Sequence, residues 1–220
     1  MKVQKGDFVE IKYVGRLDDG SIFDLNDKET AKKEGMNGHI HERTMICLGQ
    51  RDIVPGLDDF LINKELAKTE EIIIQPEQGF GKKDPKLLQM IPVSKFKEQK
   101  INPMPGLRVE IDQYTGVIKS VSGGRALVDF NHPLAGRTLH YKITITKKVE
   151  GLKDKVSGFM ELNFHLHDPQ IQEKDGTVTL TAPFPPEMQA MLEAELKKRI
   201  PELKSFLIEQ PKGKTANHSH

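Results

Sequence analysis

Few side chains in this chain of 220 residues could perform covalent or metal-dependent chemistry. Its one cysteine, Cys47, can form neither an internal disulfide nor a cysteine-based zinc site. Two histidine pairs, His39 with His41 and His165 with His167, would each share one face of an extended strand, but neither has a second pair of ligands at zinc-finger spacing. We therefore predict no metal site and no cofactor. A metallochaperone is kept as an alternative, which stoichiometric binding of nickel or zinc would reveal.

What remains is a series of apolar and aromatic positions, with one aspartate, that could line a water-poor pocket. The members that the family resemblance given below selects are Tyr13, Phe23, Asp24, Ile53, Val54, Leu57, Phe80, Leu139 and Tyr141. Apolar residues on strands are usually core residues, and a single aspartate after a turn can simply cap it. The residue types alone therefore leave a purely structural role open.

The elements that must carry these residues follow from the hydrophobic pattern. Residues 6–17 alternate between apolar and polar side chains, which is typical of a half-buried strand, and a turn follows at residues 18–20. Residues 26–43 form a polar excursion with a short helical stretch. After Pro55, apolar residues at helical spacing predict a short amphipathic helix, and residues 72–74 predict a buried strand.

A second unit between residues 81 and 131 has shorter strands. They are predicted at residues 108–111, 116–121 and 125–130. The glycine pair at residues 123–124 is a hairpin signal between the last two strands. A longer alternation at residues 139–146 is more regular than any of these and is predicted to belong to the first sheet. The middle segment would then be an insertion.

A third unit begins near residue 151. Two strands are predicted at 160–166 and 177–181, a helix after the proline pair at 185–186, a third strand at 203–209, and a flexible tail at 211–220. So small a β-β-α-β sheet has exposed edges, and a homodimer through residues 155–209 is therefore one hypothesis. Packing of the helix on its own strands is the other.

The composition excludes two classes of function. With 33 basic and 32 acidic side chains the formal charge is +1, so the chain is not a globally basic nucleic-acid binder. No apolar run approaches the ~18 residues of a membrane span. The first residues also lack the apolar stretch of a signal peptide. We expect a cytoplasmic protein with neither nucleic-acid nor membrane partners.

Taken in order, these motifs resemble the FK506-binding-protein (FKBP) class of peptidyl-prolyl isomerases. The resemblance rests on Tyr13, Gly20, Phe23-Asp24, the Ile-Val-Pro-Gly-Leu string at 53–57 and the Gly-Phe-Gly string at 79–81. The string Asn-His-Pro-Leu-Ala-Gly at 131–136 resembles the SlyD-like subgroup, in which an insert-in-flap (IF) chaperone domain interrupts the isomerase. The last unit is similar in architecture to the extra C-terminal domain of long-type archaeal members.

The resemblance implies an α+β fold with three parts. An antiparallel FKBP-type β-sheet would wrap on a short helix, with an inserted small β-rich IF domain and a C-terminal β-β-α-β domain. The implied boundaries are 1–84 with 131–150 for the discontinuous isomerase domain, 85–130 for the IF domain, 151–210 for the C-terminal domain and 211–220 for the tail.

The resemblance also implies roles for the apolar series. Tyr13, Asp24, Val54 and Phe80 would be catalytic: Asp24 would hold the Tyr13 hydroxyl, and the backbone N–H of Val54 would donate to a substrate carbonyl. The residues that contact substrate would be Phe23, Ile53, Leu57, Leu139 and Tyr141. Relatives usually carry tyrosine where this chain has Phe80. Losing one neutral hydrogen bond costs ~0.5–1.5 kcal/mol, so we expect reduced activity rather than none.

The implied function is peptidyl-prolyl cis-trans isomerisation (EC 5.2.1.8 type) combined with a folding chaperone. The partners would be unfolded or nascent polypeptides and proline-containing peptides. Flexible methionines in the inserted unit would tolerate many clients. The candidate chaperone residues, which could equally be core, are Met90, Phe96, Ile101, Met104 and Leu107. An alternative from a different class is a holdase whose pocket binds but barely isomerises.

Overall fold

The computed structural model describes residues 1–36 and 43–211. The histidine pair at 39 and 41, part of the 26–43 excursion and the tail from residue 212 therefore lie outside the described residues. The chain forms two compact units: the first comprises Met1–Ile73 and the chain from His140 onward, and the second is Ile74–Leu139.

The first unit is built on a five-stranded antiparallel sheet. Its strands are β1 (Phe8–Arg16), β2 (Ile22–Leu25), β3 (Thr44–Cys47), β4 (Thr69–Ile74) and β9 (Leu139–Val149). The order is β2-β1-β9-β4, and β3 pairs with β1. In β1 the buried Val9 and Ile11 alternate with the half-buried Glu10 and Lys12, so the alternation that predicted a half-buried strand is confirmed.

Two short helices connect these strands. In α1 (Lys28–Lys33) the Asp27 carboxylate accepts a hydrogen bond from the Glu29 backbone N–H at 3.0 Å, as an N-cap should. The predicted amphipathic helix is α2 (Pro55–Leu61), with proline in its first turn. Its buried Asp58 accepts hydrogen bonds from the backbone of the preceding loop, so that loop is fixed to the helix.

The C-terminal part of the first unit begins with a helix that sequence analysis missed. Its elements are α4 (Leu152–Phe164), β10 (Gln170–Lys174), β11 (Thr177–Thr181), α5 (Met188–Arg199) and β12 (Ser205–Glu209). The strand predicted at 160–166 is wrong. Val156, Phe159 and Met160 are buried at helical spacing, and this period continues upstream of the short alternation that suggested a strand. The β-β-α-β order follows α4, with β10 as its first strand.

One apolar core joins this C-terminal part to the first sheet. Phe8 and Met45 from the sheet belong to the same buried cluster as Phe159 from α4 and Phe206 from β12. A Cβ at Gly158 would lie 2.8 Å from the Met45 Cβ, so glycine is needed where α4 meets the sheet. Because burying a large apolar side chain stabilises a fold by about 1.5–3 kcal/mol, the shared cluster binds the two parts firmly.

The second unit has its own sheet and core. Its elements are β5 (Leu88–Pro92), α3 (Val93–Glu98), β6 (Arg108–Ile111), β7 (Tyr114–Ser122) and β8 (Arg125–Asp129). The strand order is β5-β8-β7-β6. Gly123 and Gly124 both have positive φ in the β7–β8 turn, which confirms the predicted hairpin. Phe96 and Ile118 are among the buried residues of the core.

The base of the second unit is held by Asn131, in the string that suggested the SlyD-like subgroup. Its Oδ1 accepts a hydrogen bond from the Asp84 backbone N–H at 2.8 Å, and its Nδ2 donates to the Asp84 carbonyl and to Asp129. The Gly136 N–H also donates to the Gly81 carbonyl at 2.7 Å. The segments that enter and leave the strands of this unit are thereby joined.

Asp129 should make the second unit sensitive to acid. Burial raises the pKa of its carboxyl, but hydrogen bonds from Lys83 and Asn131 outweigh burial and lower the pKa from 3.8 to about 2. Since the folded pKa lies below the unfolded value, this stabilisation is complete above pH 4 and is lost as the pH falls toward 2.

We therefore expect Asp129→Asn to destabilise the second unit at pH 6, and expect the difference from wild type to shrink as the pH falls from 4 to 2, measured by urea denaturation. Asp112→Asn is the control, because that carboxylate is exposed in the same unit. A difference from wild type that does not change with pH would contradict this assignment.

Among the described residues, no helix is both long and apolar enough to cross a membrane.

Candidate functional site

Four residues of the predicted pocket come together on the first sheet. The Tyr13 hydroxyl donates a hydrogen bond to Asp24 Oδ2 at 2.9 Å. The rings of Tyr13 and Tyr141 lie 6.2 Å apart and are tilted by 58°. Phe23 meets Tyr141 edge to face, with 5.6 Å between ring centroids. We call Tyr13, Phe23, Asp24 and Tyr141 the aromatic cluster.

Strand register explains why the cluster forms. Gly15 pairs with Asp24 on β2 and with Tyr141 on β9, which places the three residues in one row across the sheet. A register shift in the β1–β2 pair lies between Gly15 and Arg16. Such a bulge re-aims side chains, and here Phe23 reaches Tyr141 while its neighbour Asp24 reaches Tyr13.

Gly15 leaves the space that the Phe23 ring fills. A Cβ at this position would lie 2.6 Å from Phe23 Cζ, closer than real contacts allow. We expect Gly15→Ala to displace the ring and destabilise the fold by about 1–3 kcal/mol, as overpacking does, measured by thermal denaturation. Adding Phe23→Leu to this variant should recover most of that stability. If the double variant is no more stable than Gly15→Ala, the overlap between the new Cβ and the Phe23 ring is not the cause of the lost stability.

Burial, with a smaller contribution from Asp24, keeps both tyrosines protonated. Burial raises the pKa of the Tyr13 hydroxyl far above its ordinary value, and the Asp24 charge and hydrogen bond raise it further. Burial, followed by Asp24, also raises the pKa of Tyr141. Both phenols therefore stay protonated at neutral pH. The site offers fixed hydrogen-bond geometry and apolar surface, not a proton that moves.

The start of α2 presents a backbone donor. The Val54 carbonyl accepts from the N–H groups of Leu57 and Asp58 at 3.0 and 3.1 Å. The Val54 N–H, in contrast, donates to no acceptor in the described part of the chain. Ile53 and Val54 are half-buried, while Leu57 is buried. Their contribution to a pocket with the aromatic cluster stays a prediction.

The other two predicted pocket residues belong to the second unit. Phe80 is partly exposed and stacks flat on His132, with 4.4 Å between ring centroids and 4° between planes. His132 Nδ1 accepts a hydrogen bond from the Leu134 backbone N–H at 3.2 Å. Leu139 is fully buried at the start of β9. The Asn-His-Pro string, which contains His132, was the one sequence signal that could have pointed to the stack.

The candidate chaperone residues separate into core and surface. The prediction that Phe96 contacts clients is wrong, because this side chain is buried in the core of the second unit. Ile101 and Leu107 pack partly against that core. Met90 and Met104 are more than half exposed. Further exposed apolar residues in this unit, which sequence analysis did not name, are Leu87, Leu88, Tyr114 and Val121.

The histidines that follow α4 and the single cysteine have defined surroundings in the described part of the chain. No group of three or more His, Cys, Asp or Glu side chains could hold a metal ion within residues 1–36 and 43–211. His165 ends α4 in a left-handed conformation, and His167 lies 3.4 Å from Glu161. Cys47 is buried, and burial together with the charge of Asp52 raises its pKa to about 12.

Comparison with known proteins agrees with this fold class. The sequence model of the FKBP26 IF domain family matches residues 89–134. A probable FKBP-type 16 kDa peptidyl-prolyl cis-trans isomerase of Pseudomonas fluorescens is 32% identical over 103 residues, 44% of this chain and 67% of that protein. The short-type peptidyl-prolyl cis-trans isomerase of Methanocaldococcus jannaschii is 28% identical over 145 residues, 65% of this chain and 92% of that protein. SlyD of Haemophilus influenzae, an FKBP-type isomerase, is 29% identical over 162 residues, 71% of this chain and 78% of that protein.

The antiparallel sheet, the match to the IF domain family and these relatives together define a class of folding enzyme. The chain belongs to the FKBP-type peptidyl-prolyl cis-trans isomerases, in the SlyD-like subgroup. The predicted family, fold class and enzyme class are therefore confirmed. The holdase alternative is not favoured.

Proposed function

We propose that the aromatic cluster catalyses rotation about X-Pro bonds in unfolded polypeptides that the second unit captures. The observation that carries the proposal is the Tyr13–Asp24 hydrogen bond within an aromatic cluster on the FKBP-type sheet. Uncatalysed rotation must overcome ~18–20 kcal/mol because the C–N bond has partial double-bond character. No nucleophile or proton transfer is needed, which suits a site whose phenols stay protonated.

The site would act by favouring a twisted amide over a planar one. A planar amide is the more polar species, so an apolar environment penalises it relative to the twisted form. Tyr13, Phe23 and Tyr141 supply that environment, and Asp24 holds the Tyr13 hydroxyl in one orientation. The unpaired N–H of Val54 would orient the substrate by donating to its carbonyl.

Exposed apolar surface supports a chaperone role for the second unit. Of the twelve large apolar side chains with high exposure among the described residues, seven lie in this smaller unit. Two of them, Leu88 and Met90, alternate along the edge strand β5, so they share one face. An extended chain could pair with the free edge of β5 and place side chains against Leu88 and Met90, which is recognition by strand addition.

The two activities would reinforce each other in one chain. A segment held by the second unit is offered repeatedly to the aromatic cluster, so the effective concentration of its prolines rises without tight binding in the pocket. The proposal places this work in the cytoplasm, on unfolded or nascent polypeptides. A single cysteine that is buried suits a reducing compartment.

Self-association through the C-terminal part is a separate hypothesis. It is supported by two exposed apolar side chains there, Met191 on α5 and Leu207 on β12. Light scattering on Met191→Asp and Leu207→Asp should then give a smaller mass than on wild type. A monomeric mass for the wild type, or an unchanged mass for both variants, would refute it.

The proposed function is tested by two assays side by side: isomerisation of a proline tetrapeptide and refolding of a protein limited by proline isomerisation. We expect the wild type to accelerate both. Suppressed aggregation of the client without acceleration of either process would indicate a holdase instead.

Phe80 gives a graded form of the same test. Tyrosine at this position would restore a hydroxyl donor worth ~0.5–1.5 kcal/mol. We therefore expect Phe80→Tyr to raise kcat/KM on the tetrapeptide by roughly two- to tenfold. Phe60→Tyr, on α2 beside Lys64, is the matched control and should leave the rate unchanged. Equal rates for wild type and Phe80→Tyr would show that position 80 does not contact the substrate.

A further inference from the structure

A cleft of about 260 Å³ lies between the first sheet and the C-terminal helix α4. Its lining residues are Tyr13, Arg43, Thr44, Met45, Gly158, Glu161, Leu162, His165 and His167. Tyr13 therefore belongs both to this cleft and to the aromatic cluster. The opposite wall comes entirely from the last turns of α4 and the residues that follow it.

The wall has a fixed position. Glycine at 158 lets α4 pack against Met45 of β3 without the overlap that any Cβ would cause. Phe159 and Met160, next to it, are buried in the core shared with the sheet. Leu162 follows on the same helix, is only half-buried and lines the cleft. A rigid helix thus presents an apolar side chain across from Tyr13.

Arg43 and Glu161, which both line the cleft, already have partners. Arg43 Nε lies 3.0 Å from Glu10 Oε1. Glu161 Oε1 lies 3.4 Å from His167 Nδ1. Among the described residues, the accessible apolar surface of the cleft therefore comes mainly from Leu162 and the Tyr13 ring.

We propose that this cleft is a subsite of the isomerase that takes an apolar side chain flanking the substrate proline, with Leu162 as a specificity-determining residue. The inference rests on the proposed function, because the cleft continues the aromatic cluster through Tyr13. Its volume lies below the ~300–1,000 Å³ typical of small-molecule sites, and it suits one or two side chains of an extended polypeptide. Consecutive residues of such a chain are spaced by ~3.3 Å, so residues close to the proline can enter it.

The test is a series of proline peptides in which the residues flanking the proline are leucine or serine, assayed with the full chain. Wild type should show a higher kcat/KM for the leucine peptides. In Leu162→Ala this preference should fall by about three- to tenfold, through KM, while the serine peptides are unaffected. Leu162→Met keeps an apolar side chain of similar volume and should retain the preference.

Leu207→Ala is the matched control, since it removes an exposed leucine from the same C-terminal part outside the cleft. Thermal denaturation shows whether each variant is folded. The subsite is refuted if folded Leu162→Ala keeps the wild-type preference or loses activity equally on all peptides. It is also refuted if this variant changes the mass of the protein in light scattering but not its selectivity, because the cleft would then be a contact between copies. Wild type that isomerises none of the peptides would instead refute the proposed function.

Discussion

Replacing Arg199 by leucine is expected to lower the free energy of unfolding by about 3–5 kcal/mol, the usual result of removing one partner from a buried ion pair. The Arg199 guanidinium on α5 lies 2.5 Å from the Asp52 carboxylate, and both side chains are at most one-tenth exposed. Burial lowers the pKa of Arg199, but its hydrogen bonds to Asp52 and Glu195 outweigh burial and hold that pKa above its ordinary value. Removing the guanidinium would leave the buried Asp52 carboxylate without its partner.

This pair also supports the start of α2. Asp52 Oδ2 accepts a hydrogen bond from the Cys47 backbone N–H at 2.8 Å, and residues 53–54 follow directly in the chain. Loss of the Arg199 charge should therefore loosen the loop that carries the Val54 N–H donor. We expect Arg199→Leu to lower kcat/KM on a tetrapeptide in addition to lowering stability.

Lys198→Leu is the matched control for Arg199→Leu, because Lys198 is the exposed neighbour on the same helix. Urea denaturation should show a change within about 0.5 kcal/mol for it, as for most surface substitutions. The double variant Arg199→Leu with Asp52→Asn should be less destabilised than Arg199→Leu alone, because the unpaired charge is removed while the amide oxygen can still accept from the Cys47 N–H. If Arg199→Leu and Lys198→Leu unfold at the same urea concentration, the Arg199–Asp52 ion pair does not stabilise the fold as proposed.

Replacing residues 85–128 by a short glycine-serine linker is the second change with a large expected effect. The tetrapeptide assay should be nearly unaffected, while catalysed refolding of a proline-limited protein should slow by about ten- to a hundredfold, because the effective concentration of the client is lost. The linker can be short, since the Asp84 N–H and Asn131 Oδ1 are joined by a hydrogen bond of 2.8 Å.

A milder variant controls for any structural damage that the deletion itself causes. Leu88→Ser with Met90→Ser changes only exposed residues on the edge strand β5 of the intact chain. It should slow refolding in the same direction and leave the tetrapeptide rate alone. Equal refolding rates for wild type, the deletion and this double variant would contradict the division of labour between the two units.

Sequence periodicity predicted β1 and β9 of the first sheet, because their packing imposes a strict alternation. The strand predicted as buried at 72–74 is the end of β4, but Ile73 is more than half exposed, so that part of the prediction is wrong. In β9, Tyr141, Ile143 and Ile145 are buried between more polar neighbours. The same rule failed at residues 160–166. There the alternation was the end of a helical pattern that began at Leu152, and a window starting later could not distinguish period 2 from period 3.6.

The site itself was only partly predictable. The motifs identified the residues of the aromatic cluster, and the structure brings Tyr13, Phe23, Asp24 and Tyr141 together. The need for glycine at position 15 depends on a ring from another strand, and that information is not local. The cleft beside α4 also depends on contacts between residues more than a hundred positions apart.

Burial in the structure separates core residues from surface residues among the chaperone candidates, which composition could not do. Phe96, Met90 and Met104 are all large apolar residues within a short stretch, yet Phe96 is buried and the two methionines are exposed. Which of them faces the core depends on how α3 packs on the small sheet. The exposed Tyr114 and Val121 were missed for the same reason.

The most direct test of the central claim is the rate of isomerisation of a proline tetrapeptide by the wild-type chain and by Asp24→Ala. We predict clear acceleration by the wild type and a ten- to hundredfold lower kcat/KM for the variant, since a hydrogen bond to a charged group is worth ~1.5–3 kcal/mol. Asp59→Ala is the control, because that carboxylate is exposed on α2 in a pair with Arg51. The account would be contradicted if the wild type does not accelerate isomerisation, or if Asp24→Ala is as active as the wild type.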